Sequence, residues 1–457
     1  MNFRFKRTNF GAALLAAFLC MTIQLLILSV RSGGELHFDD LFFFMHYLGE
    51  GSLGAKVLDP FRCDRGFYQA RELSYLFDAA DAHFIAFLLK KHIVWFHSLC
   101  SLLLCGCMVF IQHYYTRKFF PKIPGILVTL ISVFFVLQPG VTGLECFRSA
   151  RYLTAAGLWG ALFAAYACCR CGNFRSRAAL VLSLLVMTLS GRQGFFFTAA
   201  IAGTTALVML WQCRSRFMVS VRRIRFVVLA ALGVSFFGVV NNLYITPALV
   251  RAVNGCAVDF AYQRDWMMSF KALLSGGAFL SGSIGSWFSS YSGAVSAASL
   301  TGLLLLSGVG LELCYRFRRC EGSRVFLTLI WCCALGAMCL CSASMFARRN
   351  FTVDGSCSVD FLVITLFLLT LTAAGGKKRF RSLLLAVFAV SICLRLGVES
   401  VGDRFAPPPR SFSGYNSGQY VLKEALRDPE FDEKRYLLPL RMELFLEFCR
   451  KNILTKQ

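Results

Sequence analysis

Apolar runs of roughly twenty residues, the length that crosses a bilayer as a helix, alternate along this chain with short polar connections. They occupy residues 11–30, 93–115, 123–138, 152–169, 178–190, 195–212, 226–244, 295–314, 325–344, 361–374 and 383–398. The run at 178–190 is short and pairs with its successor around the turn Gly191-Arg192-Gln193-Gly194. The pattern predicts an all-α polytopic membrane protein of about eleven transmembrane helices. Residues 1–398 form its transmembrane domain and residues 399–457 a small C-terminal tail.

The basic residues give the expected orientation. Arg4, Lys6 and Arg7 precede the first run, and Arg117, Lys118 and Lys122 follow the second. Arg170, Arg175 and Arg177 follow the fourth, and Arg214, Arg216, Arg222, Arg223 and Arg225 follow the sixth. Arg316, Arg318, Arg319 and Arg324 follow the eighth, and Lys377, Lys378, Arg379 and Arg381 follow the tenth. Compact basic clusters on every second connection mark the cytoplasmic side. The expectation is a cytoplasmic N-terminus, an outer C-terminus and a multi-pass protein of the plasma (inner) membrane. The opening run is long enough to span, with no clear small-residue cleavage site after it, so it is expected as a retained signal anchor.

The long connections then fall outside: a first loop at 32–91, a second at 245–294, a shorter one at 346–360, and the tail. In the first loop Phe67, Leu73, Leu76, Phe77, Ala80, Phe84, Phe87 and Leu88 recur at mostly three- to four-residue spacing. This predicts one or two amphipathic helices in the outer interface, with Asp64, Arg71, Glu72, Asp78 and Asp81 turned toward water or a cavity. The tail opens on Ala406-Pro-Pro-Pro-Arg410 and holds two short helical patterns, at 419–427 and 440–451. It is too short for a core of its own and is expected as a cap.

Composition agrees. Of 457 residues 57% are hydrophobic and only 16% charged, which excludes a soluble multidomain protein. The net charge of +23 is dispersed between apolar runs rather than gathered in a nucleic-acid groove. Most of the 20 cysteines lie inside apolar runs as small hydrophobes. Cys168, Cys169 and Cys171 form only half of a zinc pattern.

The candidate chemistry begins with Asp39 and Asp40, just past the first run among Phe38, Leu41, Phe42, Phe43 and Phe44. A carboxylate against apolar walls gains proton affinity and suits a general base acting on a hydroxyl. The same pair would serve equally as a helix N-cap. A first span with its N-terminus inside, followed by an acidic motif in a long outer loop with interfacial helices, resembles the GT-C superfamily of membrane glycosyltransferases. Residues 68–76, YQARELSYL, also look like the R-x-L-S/T stretch of several such families. Asp-Asp stands where the mannosyltransferase type has Asp-Glu, and the tail is small. The resemblance implies sugar transfer from a polyprenyl-phosphate-linked donor to an outer-face acceptor. It places the catalytic base at Asp39 or Asp40 and brings Arg71 and Glu72 to the substrate.

Arg148, Arg151, Arg192, Arg264, Arg348 and Arg349 lie at outer positions, against the charge bias. A guanidinium fork there suits a lipid phosphate, and snorkelling or pairing with Glu145, Asp354 or Asp360 is the alternative. All six histidines (His37, His46, His83, His92, His97, His113) precede Tyr114. No cofactor is required by the pattern; a divalent metal is the one that these histidines with Asp39, Asp40 and Glu72 would admit, whereas interface anchoring explains them more simply. In the second loop Asp259, Tyr262, Gln263, Arg264, Asp265 and Trp266 suit either a sugar or an interfacial belt. The rival classes are a transporter, a lipid-linked sugar flippase or polymerase, and a structural membrane protein. Transport needs polar groups near the midplane, where Gln24, Glu312 and Arg395 are the few available.

Overall fold

The computed structural model describes residues 7–30, 36, 38–58, 71–119, 124–136, 149–170, 173–191, 217–255, 415–428, 430–432 and 438–454, with scattered positions in 198–203 and 382–393. These residues are mostly helical, and no strand occurs among them. The helices are α1 (Arg7–Val30), α2 (Phe38–Leu48), α3 (Leu53–Leu58), α4 (Glu72–Leu89), α5 (Leu99–Phe119), α6 (Gly125–Val136), α7 (Ser149–Arg170) and α8 (Phe174–Ser190). α9 (Phe217–Val240) continues through a π-turn, Asn241–Ile245, into α10 (Thr246–Asn254); α11 (Tyr415–Arg427) and α12 (Leu440–Cys449) come from the tail.

Among the described residues three helices are long and apolar enough to cross a membrane, over Asn9–Leu26, Leu99–Lys118 and Arg225–Asn254, and Tyr152–Cys168 is a shorter apolar stretch. The apolar runs at 11–30, 93–115, 123–138, 152–169, 178–190 and 226–244 fall on α1 and α5 to α9. Apart from scattered positions, the runs at 195–212, 295–314, 325–344, 361–374 and 383–398 lie outside the described residues, as does most of the second loop.

Two of the helix starts that differ from the hydropathy pattern have a capping reason. α5 begins at Leu99 because Ser98 caps it, its Oγ accepting from the Ser101 amide at 2.8 Å. α8 begins at Phe174 because Asn173 Oδ1 accepts from the Ser176 amide at 2.9 Å.

Side-chain pairings give the directions of the helices. Phe10 meets Phe110 edge-on at 5.3 Å, and Met21 fills the space left by Gly106, so α1 and α5 are antiparallel. Ser132 Oγ donates to Gln112 Oε1 at 2.9 Å and Thr129 pairs with His113 at 3.3 Å, so α5 and α6 are antiparallel too. α5 and α7 run parallel, with Tyr115 stacked on Phe163 at 4.6 Å. Consequently the start of α1, the ends of α5 and α7 and the start of α8 carry Arg7, Arg117, Lys118, Arg170, Arg175 and Arg177 at one end of this layer. α4 lies at the other end, against the starts of α5 and α7.

α7 and α8 form the closest pair. A Cβ at Gly157 would stand 2.7 Å from Met187 Cγ and 3.1 Å from the Ser183 carbonyl, and one at Gly160 2.6 Å from Ser183 Oγ. Small residues here let the two backbones approach closely enough for dispersion contact along the pair. Replacing Gly157 with Val should therefore lower stability in detergent or lipid by about 1–3 kcal/mol. Gly233→Ala, where nothing lies within 4 Å of the added carbon, should not lower the melting temperature. Equal melting temperatures for the two variants would contradict this packing.

Candidate functional site

The acidic pair sits in the first turn of α2, where the helix dipole favours negative charge. The other end of α2 meets a cation. Lys56, buried on α3, donates from Nζ to the Tyr47 carbonyl at 3.0 Å and the Gly49 carbonyl at 2.5 Å, satisfying carbonyls that the helix leaves open. His46 Nε2 lies 3.2 Å from the Lys56 carbonyl. Gly51, at φ 108, makes the turn between the two helices possible. Asp40 is only 1% exposed.

α2 is buried because the tail closes over it. Leu36, Phe44, Tyr47, Tyr75 and Phe96 share one apolar core with Leu422, Leu426, Met442, Phe445 and Cys449. Phe44 and Phe445 meet at 5.2 Å. The Gln419 amide clasps the backbone of Leu36, donating to its carbonyl at 2.5 Å and accepting from its N–H at 3.4 Å. The tail helices thus complete the layer made by α2, α3 and α4.

α4 corrects one expectation. Its acidic residues were expected to face water or a cavity, and instead Asp78 (4% exposed) and Asp81 (0%) point into the protein. Asp81 accepts from Ser98 Oγ and from the Cys100 amide, the latter at 2.9 Å, at the start of α5. Asp78 Oδ1 accepts from Ser149 Oγ at 2.6 Å and from the Ser149 amide at 3.3 Å, at the start of α7. Ser149 Oγ also lies 3.0 Å from the Ser74 carbonyl. One helix therefore caps two others. Glu72, half-buried, accepts from Thr246 Oγ1 at 2.6 Å, which ties α4 to the first residue of α10.

Arg71 precedes α4 with its guanidinium 4.8 Å from the centre of the Tyr75 ring. Tyr47, Arg71, Tyr75 and Asp78 interact electrostatically, so α2, α4 and the start of α7 meet in one polar cluster. Burial pushes the Asp78 carboxyl up to about 7, outweighing the Ser149 hydrogen bonds and the Arg71 charge, which pull it down. Burial likewise raises Asp81, against the hydrogen bonds from Cys100 and Ser98. A carboxyl poised near neutrality can hold or release a proton under ordinary conditions.

Of the sequence-derived site residues, Asp39 and Asp40 share the first turn of α2, and Arg71 and Glu72 open α4. Arg151 falls in the first turn of α7, close in sequence to the capped Ser149. Arg148, Arg192, Arg264, Arg348 and Arg349 lie outside the described residues. Among the described residues no group of three His, Cys, Asp or Glu is placed to hold a metal ion. Tyr47, Lys56, Tyr75, Ser98, Ser149 and Thr246 join the polar framework without having stood out in the sequence. A serine directly before an apolar helical run was the available signal for Ser98 and Ser149.

A carboxyl whose folded value lies above its unfolded one binds its proton more tightly in the native state. Its contribution is favourable below about 4 and is lost as pH rises to about 7. The protein should accordingly lose stability over that interval, and Asp78→Asn, which keeps an acceptor for Ser149 without the ionisation, should remove this part of the dependence. Melting temperatures of both proteins against pH measure it; an unchanged slope in Asp78→Asn would contradict the assignment. Comparison with known protein families, with curated proteins and with solved structures finds no match for this chain, so these residues alone bear on its function.

Proposed function

We propose that the chain is an integral membrane glycosyltransferase that moves a sugar from a polyprenyl-phosphate-linked donor to a hydroxyl acceptor on the outer face of the plasma (inner) membrane. The observation that supports this reading is the folding of the first polar segment. It forms a buried helical layer that starts with an acidic pair and gathers Arg71, Tyr75 and Asp78 at the end of the bundle away from the basic residues. In the topology that goes with the reading, about eleven spans carry the N-terminus inside and the tail outside.

Asp40 is too deeply buried to meet an incoming acceptor, so we assign the general base to Asp39. Its carboxylate takes the proton from the acceptor hydroxyl as that oxygen bonds to the anomeric carbon. The bond from that carbon to the donor phosphate oxygen breaks, and the bond's electrons leave with the lipid phosphate. Arg71 and Arg151, with Arg148, Arg192, Arg264, Arg348 and Arg349 from the remaining outer segments, are the cations assigned to steady that phosphate. Glu72 is assigned to substrate positioning beside them.

Membranes containing the parent, Asp39→Asn or Asp40→Asn, incubated with radiolabelled polyprenyl-phosphate sugars, test the reading. Asp39→Asn should lower transfer by about 100-fold or more with the protein still inserted. Asp40→Asn should reduce the amount of folded protein while sparing the rate per folded molecule. Parental transfer by Asp39→Asn, or no transfer by the parent from any donor, would overturn it.

A further inference from the structure

α4 is apolar on its outward face as well as on its inward one: Ala79, Ala82, Ile85, Ala86 and Leu89 are buried together with its acids, and large apolar side chains also face out. Ser74, Tyr75, Asp78 and Asp81 are buried, whereas Leu76 is 46% exposed and Phe87 54%, and Ile93 just beyond the helix is 48% exposed. Leu73, Phe77 and Phe84, half-buried, fill the intervals at three- and four-residue spacing. The result is one continuous apolar stripe of about four turns, roughly 20 Å long. A stripe of that length is not left to water.

Among the described residues the exposed charge along this face is of one sign. Asp78 and Asp81 are turned inward to the starts of α5 and α7, and Glu72 is engaged with Thr246. Exposed along the stripe and at its end stand His83, Lys90 and Lys91. Lys91 lies with its Nζ 4.9 Å from the centre of the Phe87 ring, so the charged head rises from the apolar stripe itself. Lysines near a helix C-terminus also offset its carbonyl dipole, but that effect does not account for the apolar stripe they stand on. A second copy of this chain seated through the same face is a poor occupant, since a two-fold contact would set Lys90 and Lys91 near their own counterparts. Acyl chains edged by phosphate match both features.

We infer that the outward face of α4 docks on an anionic bilayer surface, with Leu76 and Phe87 entering the acyl boundary and Lys90 and Lys91 engaging lipid phosphates. The docking does not rest on the glycosyltransferase reading and holds for any function of the chain. It places α4 between two media: lipid on the side of Phe87, and on the other the polar cluster of Asp78 and Arg71. Headgroup charge then sets how firmly that layer is held.

The test uses the full chain with a photoreactive benzoylphenylalanine in place of Phe87, reconstituted in phosphatidylcholine or in a mixture of phosphatidylcholine with phosphatidylglycerol. Irradiation followed by mass spectrometry reads the adducts. The expected products are lipid adducts, with phosphatidylglycerol captured about tenfold above its share of the bilayer, as two surface lysines would produce. Lys90→Gln with Lys91→Gln should return capture to the bulk ratio without reducing total lipid adduct, and Lys90→Arg with Lys91→Arg should preserve the preference. Monodispersity on gel filtration checks that each variant is folded. A cross-linked dimer in place of lipid adducts, no lipid adduct, or phosphatidylglycerol captured only at its bulk share would each overturn the inference.

Discussion

The first turn of every helix leaves amide N–H groups with no partner inside the helix. At the edge of a bilayer water is scarce, and an unsatisfied amide costs several kcal/mol. α5 and α7 both begin where α4 lies, and α4 answers both. Asp81 takes the Cys100 amide and the Ser98 hydroxyl, and Asp78 takes the amide and hydroxyl of Ser149. Their positions on α4 are three apart, so both project from one helix face. The spacing of two carboxylates on α4 thus matches the spacing of two apolar helices in the bundle. The rest of the described layer follows from this constraint: α2 packs on α4, Lys56 closes the end of α2, and α11 and α12 cover what remains apolar.

Turning the carboxylates inward has two consequences. It leaves the outward face of α4 apolar and cationic, so the helix belongs to an interface rather than to water. It also buries Asp78 deeply enough that its proton affinity rises toward neutrality despite the nearby Arg71. The polar cluster joins Tyr47, in the last turn of the helix that opens on Asp39 and Asp40, to Arg71, Tyr75 and Asp78, and reaches α7 through Ser149. Any chemistry at Asp39 would therefore take place on a platform whose rigidity depends on the same hydrogen bonds that cap the helices.

Much of this was legible from residues alone. Continuous apolar runs announced α1 and α5 to α9, because a helix in lipid satisfies its backbone internally and needs only length and hydropathy. The apolar stripe of α4 was legible for the same reason, as three- to four-residue spacing. What the acidic residues between its positions would meet was not: periodicity gives a face but not its partner, and Asp78 and Asp81 look like solvent-facing residues until a partner is known. That partner is Ser149 or Ser98, brought close only by the fold. The onset of α5 at Leu99 rather than within the preceding apolar residues has a similar origin, since hydropathy does not register a serine cap. The burial of Asp40 was equally hidden, because the tail residues that close over α2 lie more than 370 positions away, as the Gln419–Leu36 clasp illustrates at a separation of 383.

The account stands on the bond between α4 and the start of α7, and a double-mutant cycle on Asp78 and Ser149 measures it. Asp78→Ala, Ser149→Ala and the pair would be unfolded in the same lipid or detergent. Coupling of about 1–3 kcal/mol between the two sites is predicted. Strictly additive losses would mean that α4 does not hold α7 through this contact.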